Sequence, residues 1–538
     1  MNAKRWALFG GAGCASVAAL TLAAFVVVGV LARRALAPEK VRPVVEEKLS
    51  RALGRPVTVG GLSVTLLPAP GASARDIRVG GGKDDAPSLA IRQVRVIPSL
   101  ASLFTGQVVV DRVDLVGLDL CVRRDRAGRW LLPFSPGGGG KKPAEPDSGP
   151  SPVVRDVRLR EGTFRLVDDA MRSASGSHEV ARVTAIEGRL ASSGGRATIE
   201  ELKGMLGRTR VSGSAEFDSD GAVLRFATGS LDNRDLASLM AILGMAPIEG
   251  LSVEGKVPLE VALAVPSGPK PLSATGRASA ERLRLGTLTL EGLQAPFRLE
   301  RGVVTLDPLT FTAYKGREKG SVALNLNRTP TAYTIRTTLE GLDVNAALSA
   351  NTGAKDFLYG TGRASGGVRG AGFEPGVLRR NLAGQAEVDV KDGVIRNFPL
   401  LARINQALRI TGGDERDTRF QSLTGHFDIG GGRAHTEDLR LNAGEMAILC
   451  KGDVNLDLTL GLRGTATFTP AKSREMVHSL AELSRLQNDR GELEVPLTVS
   501  GPIGSPSISV DLAGVLKKGA ETELKERLKD KLKGLFGK

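Results

Sequence analysis

The sequence predicts a mostly β protein: an N-terminal transmembrane helix, then an elongated, curled antiparallel β-sheet groove with few short helices, and a C-terminal amphipathic helix. Three observations carry this. Trp6 to Leu31 runs between Lys4-Arg5 and Arg33-Arg34 without a charged residue. At about 1.5 Å per helical residue this run exceeds the roughly 30 Å of a bilayer core. The body then alternates apolar and polar residues with period two, and it contains 67 glycines but only 4% aromatic residues. Such a composition, with its apolar part mostly Val, Leu, Ile and Ala, suits strands and turns. Stretches with helical spacing are few, which argues against regular βαβ alternation.

Residues 1–34 read as a short tail and transmembrane anchor, with Trp6 at the membrane interface. Ala35-Leu36-Ala37 has the form of a signal-cleavage site, but the apolar core is too long and Arg33-Arg34 lies between it and that site. Pro38 after the cut would also be a poor protease substrate. The anchor is therefore read as retained. Basic residues flank it on both sides, so the charge rule alone leaves its orientation open.

Residues 35–134 form the first β region. Val44, Val45, Leu49 and Leu53 predict a short amphipathic helix over Val41–Leu53, stopped by Gly54. Val57 and Val59, then Leu62, Val64 and Leu66, begin the strands. Alternation continues through Ile77, Val79, Leu89, Ile91, Val94 and Val96, and from Val108 and Val110 to Val122. Residues 135–153, with four consecutive glycines and several prolines, read as a flexible linker.

Residues 154–375 are read as the middle groove region and 376–511 as a second β region. An acidic residue followed by Gly recurs at Glu161-Gly162, Glu187-Gly188, Asp220-Gly221, Glu291-Gly292, Glu340-Gly341 and Asp392-Gly393. These pairs are expected at hairpin turns, where Gly accepts a positive φ. Val257, Leu259, Val261, Leu263 and Val265 predict one unbroken strand, and Val454, Leu456, Leu458 and Leu460 another. Helices are expected over Leu236–Leu243, Val344–Leu348, Leu400–Leu408 and Ala471–Leu486. In residues 512–538, Leu524, Leu528, Leu532, Leu535 and Phe536 line one helical face amid Lys525, Arg527, Lys529, Lys531 and Lys533. This segment reads either as a solvated terminal helix or as an interfacial helix on anionic headgroups.

The net charge of +14 invites a nucleic-acid reading. However, the basic residues are scattered, often beside acids, and three Tyr and two Trp offer little base stacking. No nucleic-acid partner is expected. Cys14, Cys121 and Cys450 have neither disulfide nor zinc spacing. His426 and His435 flank Gly430-Gly431-Gly432 without a third ligand nearby, so no metal is expected. There is no GxSxG, HExxH or P-loop, and Gly360 to Gly366 lacks the spacing of a dinucleotide fingerprint. No cofactor or enzymatic activity is expected.

What remains is an excess of one-sided aliphatic strands. Either such sheets close on each other as dry sandwiches, or one sheet curls into a trough whose lining can take acyl chains. For the trough, Val108, Val110, Val257, Leu259, Val261, Leu263, Leu456, Leu458 and Leu460 are the candidate groove contacts. At about 4.8 Å per strand, some thirty strands would extend roughly 100 to 140 Å.

The order of several motifs resembles the AsmA family of bacterial envelope proteins. These are the apolar N-terminal helix, Leu53-Gly54-Arg55-Pro56-Val57, Leu66-Leu67-Pro68, Ala74-Arg75-Asp76-Ile77 and Ile97-Pro98-Ser99-Leu100 with Leu103 to Gly106. Arg123-Arg124-Asp125 with Gly128-Arg129-Trp130 follows, although Leu131 stands where the family commonly has Asn. Further on come Asp392-Gly393-Val394-Ile395, Phe398-Pro399-Leu400, Phe420 to Thr436 and Gly501 to Pro506. The resemblance implies an inner-membrane anchor with a periplasmic body and a long apolar β groove. It also implies partners of two kinds, the phospholipid bilayer with its acyl chains and proteins of outer-membrane assembly, and it carries over no catalytic residues.

Overall fold

The computed structural model describes residues 38–510 apart from 66–70, 81–87, 100–108, 127–129, 132, 134–152, 170–177, 194–195, 219, 244–252, 267–270, 353 and 413–414. The expected anchor with Trp6, the linker core, Val108 and the terminal Leu524, Leu528, Leu532, Leu535 and Phe536 lie outside the described residues. Among the described residues no helix is long and apolar enough to cross a membrane. Strands dominate and helices are short, as the alternation predicts. The chain divides into two compact units, 1–247 with 254–280 and 296–305, and 248–253 with 281–295 and 306–538.

The first unit opens with α1 (Pro38–Leu53), followed by β1 (Val57–Thr65), β2 (Gly71–Val79), β3 (Ser88–Pro98) and β4 (Val109–Arg124). Two short strands come next, β5 (Trp130–Leu131) and β6 (Val153–Val154), then β7 (Val157–Asp168), β8 (Glu179–Ser193), β9 (Arg196–Leu206), β10 (Thr209–Asp218) and β11 (Gly221–Thr228). Helix α2 (Asn233–Ile242) precedes β12 (Val253–Gly255), β13 (Leu259–Pro266), β14 (Ser273–Leu285), β15 (Leu288–Glu300) and β16 (Val303–Ala313). The last three strands divide between the units.

Val45, Leu49 and Leu53, four residues apart on α1, are buried with Val57, Val59, Ile77, Ile91, Val94 and Val113 of the sheet. The helix also caps the sheet edge. Ser50 Oγ accepts the Val57 amide at 2.8 Å and Glu46 Oε1 accepts that of Val59 at 2.7 Å, two donors that an edge strand would otherwise leave unpaired. Gly54, at φ +63°, ends the helix.

Hydrogen bonding runs β1, β2, β3, β4, β7, β8, β9, β10, β11, β13, β14. One step corrects the antiparallel expectation: β4 and β7 are parallel, with Val113 opposite Val157 and Arg124 opposite Asp168. A parallel pair needs a crossover of a dozen or more residues, and the glycine- and proline-rich stretch separating the two strands supplies that length.

A second correction concerns the acidic–Gly pairs. Only Asp220-Gly221 lies at a hairpin connection. Glu161-Gly162, Glu187-Gly188, Glu291-Gly292, Glu340-Gly341 and Asp392-Gly393 all lie inside strands. The register slips beside Glu161, Glu187 and Glu340, and it slips again where Asp392-Gly393 sits, between the strands Leu358–Ala371 and Ala383–Ile395. Glu161, Gly341 and Asp392 take φ of +55°, +72° and +48°. A β-bulge and a tight hairpin both need a residue that tolerates the left-handed region, so the dipeptide signals that conformation and not which structure uses it. In the first unit the interruptions follow one another from strand to strand, through Asp76, Gly117, Glu161, Ala185 and Glu201, all at φ between +50° and +68°. The register slips around Glu161, Ala185 and Glu201, where bulged strands bend, and is kept across Asp76 and Gly117.

The second unit contains β17 (Gly316–Asn325), β18 (Ala332–Asp343), α3 (Val344–Asn351), β19 (Leu358–Ala371), α4 (Pro375–Asn381), β20 (Ala383–Ile395) and α5 (Leu400–Leu408). It continues with β21 (Thr418–Gly430), β22 (Arg433–Ala443), β23 (Met446–Asn455), β24 (Thr459–Phe468), α6 (Pro470–Ser479), a 3₁₀ turn (Ala481–Leu486), β25 (Glu494–Pro502) and β26 (Ser507–Val510). From β17 to β26 each strand pairs antiparallel with the next.

The expected single helix over Ala471–Leu486 is split at Leu480, which is extended at φ −148°. Ser479 and Ser484 return hydrogen bonds to the carbonyls of Glu475 and Ala481 on either side of the break, the local competition that makes serine a poor helix-interior residue. Helix α4 is an element that the sequence reading did not anticipate; Pro375 opens it.

Candidate functional site

Directly paired residues share a face of the sheet, so the registers of the second unit can be followed from strand to strand. One row runs Val322, Ile335, Val368, Gly384, Ile429, Ala434, Val454, Leu460 and Gly501. It crosses β17 to β25 without a polar side chain. All nine residues are half-buried.

The row beside it, on the opposite face, runs Ser321, Arg336, Gly367, Gln385, Asp428, His435, Asp453, Gly461 and Ser500. The sheet therefore has one dry and one wet face, as the alternation predicts. Towards the other end of the strands the dry face is closed. There α5 and α6 place Leu400, Ile404, Leu408 and Met476 over Val390, Phe420, Leu441, Ile448, Leu462, Ala466 and Leu497, all buried. The half-buried row lies outside that fully buried set.

Polar groups do occur on the dry face, Glu318, Thr337, Tyr333 and Thr436 among them. Glu318, 6% exposed, accepts a hydrogen bond from Thr337 Oγ1 at 2.5 Å. Burial pushes its carboxyl above the usual range, against the lowering effect of that bond. Tyr333 is paired with Leu324 and Gly370 at the strand end and is 3% exposed. Its ring stacks at 4.9 Å on Phe373.

The candidate contacts from the sequence fall in different places. Val110 is buried with α1. Leu259, Val261 and Leu263 alternate along β13, with Val261 and Leu263 6% exposed. Val257 is not in that strand but bridges Leu231, because Pro258 interrupts the ladder's donors. Leu460 belongs to the half-buried row. Leu456 and Leu458 do not extend a strand; they sit in the β23–β24 turn, Leu458 at φ +71°. Asp457 accepts the Thr459 amide there at 3.0 Å, forming the side-chain turn that ends the alternation.

Val322, Ile335, Val368, Ile429 and Val454 of this row are not among the groove contacts expected from sequence. Each belongs to an alternating run, but alternation alone cannot say which runs align across the sheet.

On the wet face a cavity of about 550 Å³ is lined by Gln385, Glu387, His426, Asp428, His435, Glu437 and Asp438, among others. His426 Nδ1 lies 2.6 Å from Asp438 Oδ2, and His435 Nδ1 lies 2.8 Å from Asp453 Oδ1. Asp438 raises the pKa of His426, as Glu437 and Asp453 raise that of His435. Among the described residues no group of His, Cys, Asp and Glu is arranged to hold a metal ion. The two histidines do face one cavity, as their positions around the glycine turn suggest, but as partners of carboxylates. Cys121 and Cys450 are both buried.

No curated protein matches the chain. Residues 272–439, which run from the start of β14 into β22 and so include six of the nine residues of the apolar row, match the AsmA family. This match, on strands whose motif order resembles the same family, supports the chain as an AsmA family protein.

Proposed function

We propose that this is a non-enzymatic protein anchored in the inner membrane with its body in the periplasm. It shields phospholipid acyl chains along a β groove for transfer between membranes, and so supports outer-membrane biogenesis and protein assembly. The half-buried row from Val322 to Gly501 carries the reading. Apolar side chains on a face with nothing fully covering them gain by taking up a chain, at about 0.8 kcal/mol per buried CH₂. No specific polar site is required. The AsmA match covers part of the same strands and fits a lipid-transfer or envelope protein.

A second reading, a structural envelope scaffold that binds protein partners on closed β layers, draws on the near-complete burial of Val261 and Leu263 in the first unit. Substitutions separate the two. Val368→Asp should leave the protein folded and abolish most lipid transfer between donor and acceptor vesicles, because the charge enters an open channel. Val261→Asp should instead lower stability by more than about 3 kcal/mol in urea unfolding, as a buried unpaired charge does. A folded Val368→Asp protein with undiminished transfer would remove the groove reading and leave the scaffold.

A further inference from the structure

Tyr333 Oη is fully buried and has no hydrogen-bond partner. The other such atoms among the described residues are Arg112 Nε and Asp114 Oδ1 in the first unit, Asp389 Oδ1 and Asn405 Oδ1. Asp389 pairs with Arg363 and Thr424 on the wet face, and Asn405 lies in α5. Tyr333 alone among them sits on the dry face of the β17–β26 sheet.

An orphaned buried hydroxyl costs stability, and phenylalanine would fill the same space without it. The site is shaped around the phenol rather than merely tolerant of it. On the neighbouring strand the paired residue is Gly370, where a Cβ would collide with the phenol oxygen. The absent side chain gives the hydroxyl room to lie across β19. Leu324, half-buried, is its partner on the other side.

The location adds a second constraint. Ile335 of the half-buried row is two residues further along β18 on the same face, and Tyr333 is the second residue of that strand. It therefore marks the rim of the apolar face at the β17–β18 hairpin. An amphiphile whose chains lie on Val322, Ile335 and Val368 keeps its polar end near such a rim, since charged and ester groups are costly over aliphatic side chains.

We propose that Tyr333 is a specificity-determining residue of the groove, donating its hydroxyl hydrogen to an ester or phosphodiester oxygen of a bound diacyl lipid. The inference rests on the groove reading above. For a polar end to reach the hydroxyl, the Phe373 ring packed against Tyr333 has to move aside. The phenol thus discriminates an acceptor-bearing lipid from a plain hydrocarbon, which the aliphatic row would hold equally well.

The test uses the full chain in detergent, loaded from phosphatidylglycerol vesicles or with diphenylhexatriene, a hydrocarbon probe lacking acceptors. Tyr333→Phe should remain folded, retain about tenfold less phosphatidylglycerol and bind the probe as the wild type does, the tenfold being the weight of one hydrogen bond to a charged or strongly polar acceptor. Because the chain has three tyrosines, 3-fluorotyrosine labelling gives an independent readout. The Tyr333 fluorine resonance, identified by its loss in Tyr333→Phe, should shift with phosphatidylglycerol and not with the probe. Equal phospholipid retention by the variant, or an unmoved resonance in a lipid-loaded wild type, overturns the proposal. Probe binding without either effect leaves the groove standing while removing Tyr333 from it; a wild type that takes up neither ligand removes both.

Discussion

Asp168 is completely buried beside Arg124 of the parallel partner strand. This ion pair joins β4 to β7, a parallel pairing that a hairpin cannot produce. Asp168→Asn removes the counter-charge while keeping the shape, and breaking a buried pair from one side costs about 3 to 5 kcal/mol. The variant should lose stability of that order in urea unfolding, whereas Glu300→Gln, whose partner Arg298 is exposed, should change it by less than about 1 kcal/mol. A near-neutral Asp168→Asn would mean that the pair contributes nothing to the crossover. Cys450 poses a related residue-scale test. Burial pushes its thiol up to about 11, so at neutral pH it is a protonated, inert hydrophobe. Maleimide should label it only after unfolding; labelling of the folded chain would contradict its place in the core. Small and buried is what the sequence already suggests for both body cysteines, since apolar flanks predict burial. Nothing local to Arg124 or Asp168 announces their pairing, because 44 residues separate them.

At the scale of elements, what was legible is what depends on neighbours in sequence. The alternation along β13 and the turn of α5 over Leu400–Leu408 follow from local spacing. The β4–β7 pairing and the bulges depend on partners far along the chain, so the acidic–Gly pairs carried a conformational requirement without a location. Gly341 is one such position, and Gly341→Val should cost about 1 to 2 kcal/mol, the penalty for a side chain in the left-handed region. The β21–β22 interruption is another. Between Thr424 and Asp428 the ladder is broken, and Asp438 takes over, accepting the His426 amide at 2.9 Å and facing its ring. The His426 pKa is raised in the folded state. Its contribution to stability is therefore complete below the unfolded imidazole value near 6.5 and is lost as pH rises through the folded one. In an NMR titration His426 should titrate above 6.5 and return towards it in Asp438→Asn. An unchanged titration would mean that the carboxylate does not hold the ring.

At the scale of the whole molecule, the proposed function joins three things that the sequence states separately: an apolar N-terminal run, one-sided strands and a motif order similar to the AsmA family. The match over residues 272–439 connects the last two. Nine strands at about 4.8 Å spacing make the half-buried row roughly 40 Å long, enough aliphatic surface to take up acyl chains lengthwise. That row was not legible, because register slips at bulges shift which residues align, and no single strand reveals its neighbour's offset. Candidate contacts chosen for clean alternation therefore favoured buried β13, whereas the open surface belongs to strands such as β19, where glycines dilute the pattern. The measurement that tests the central claim most directly is photo-crosslinking of the full chain in the presence of phospholipid vesicles, with a benzophenone side chain placed at Val368 on the dry face or at Arg369 on the wet one. The account predicts phospholipid adducts, identified by mass spectrometry, at position 368 and few at 369. Equal adducts at both positions, or none at 368, would contradict it.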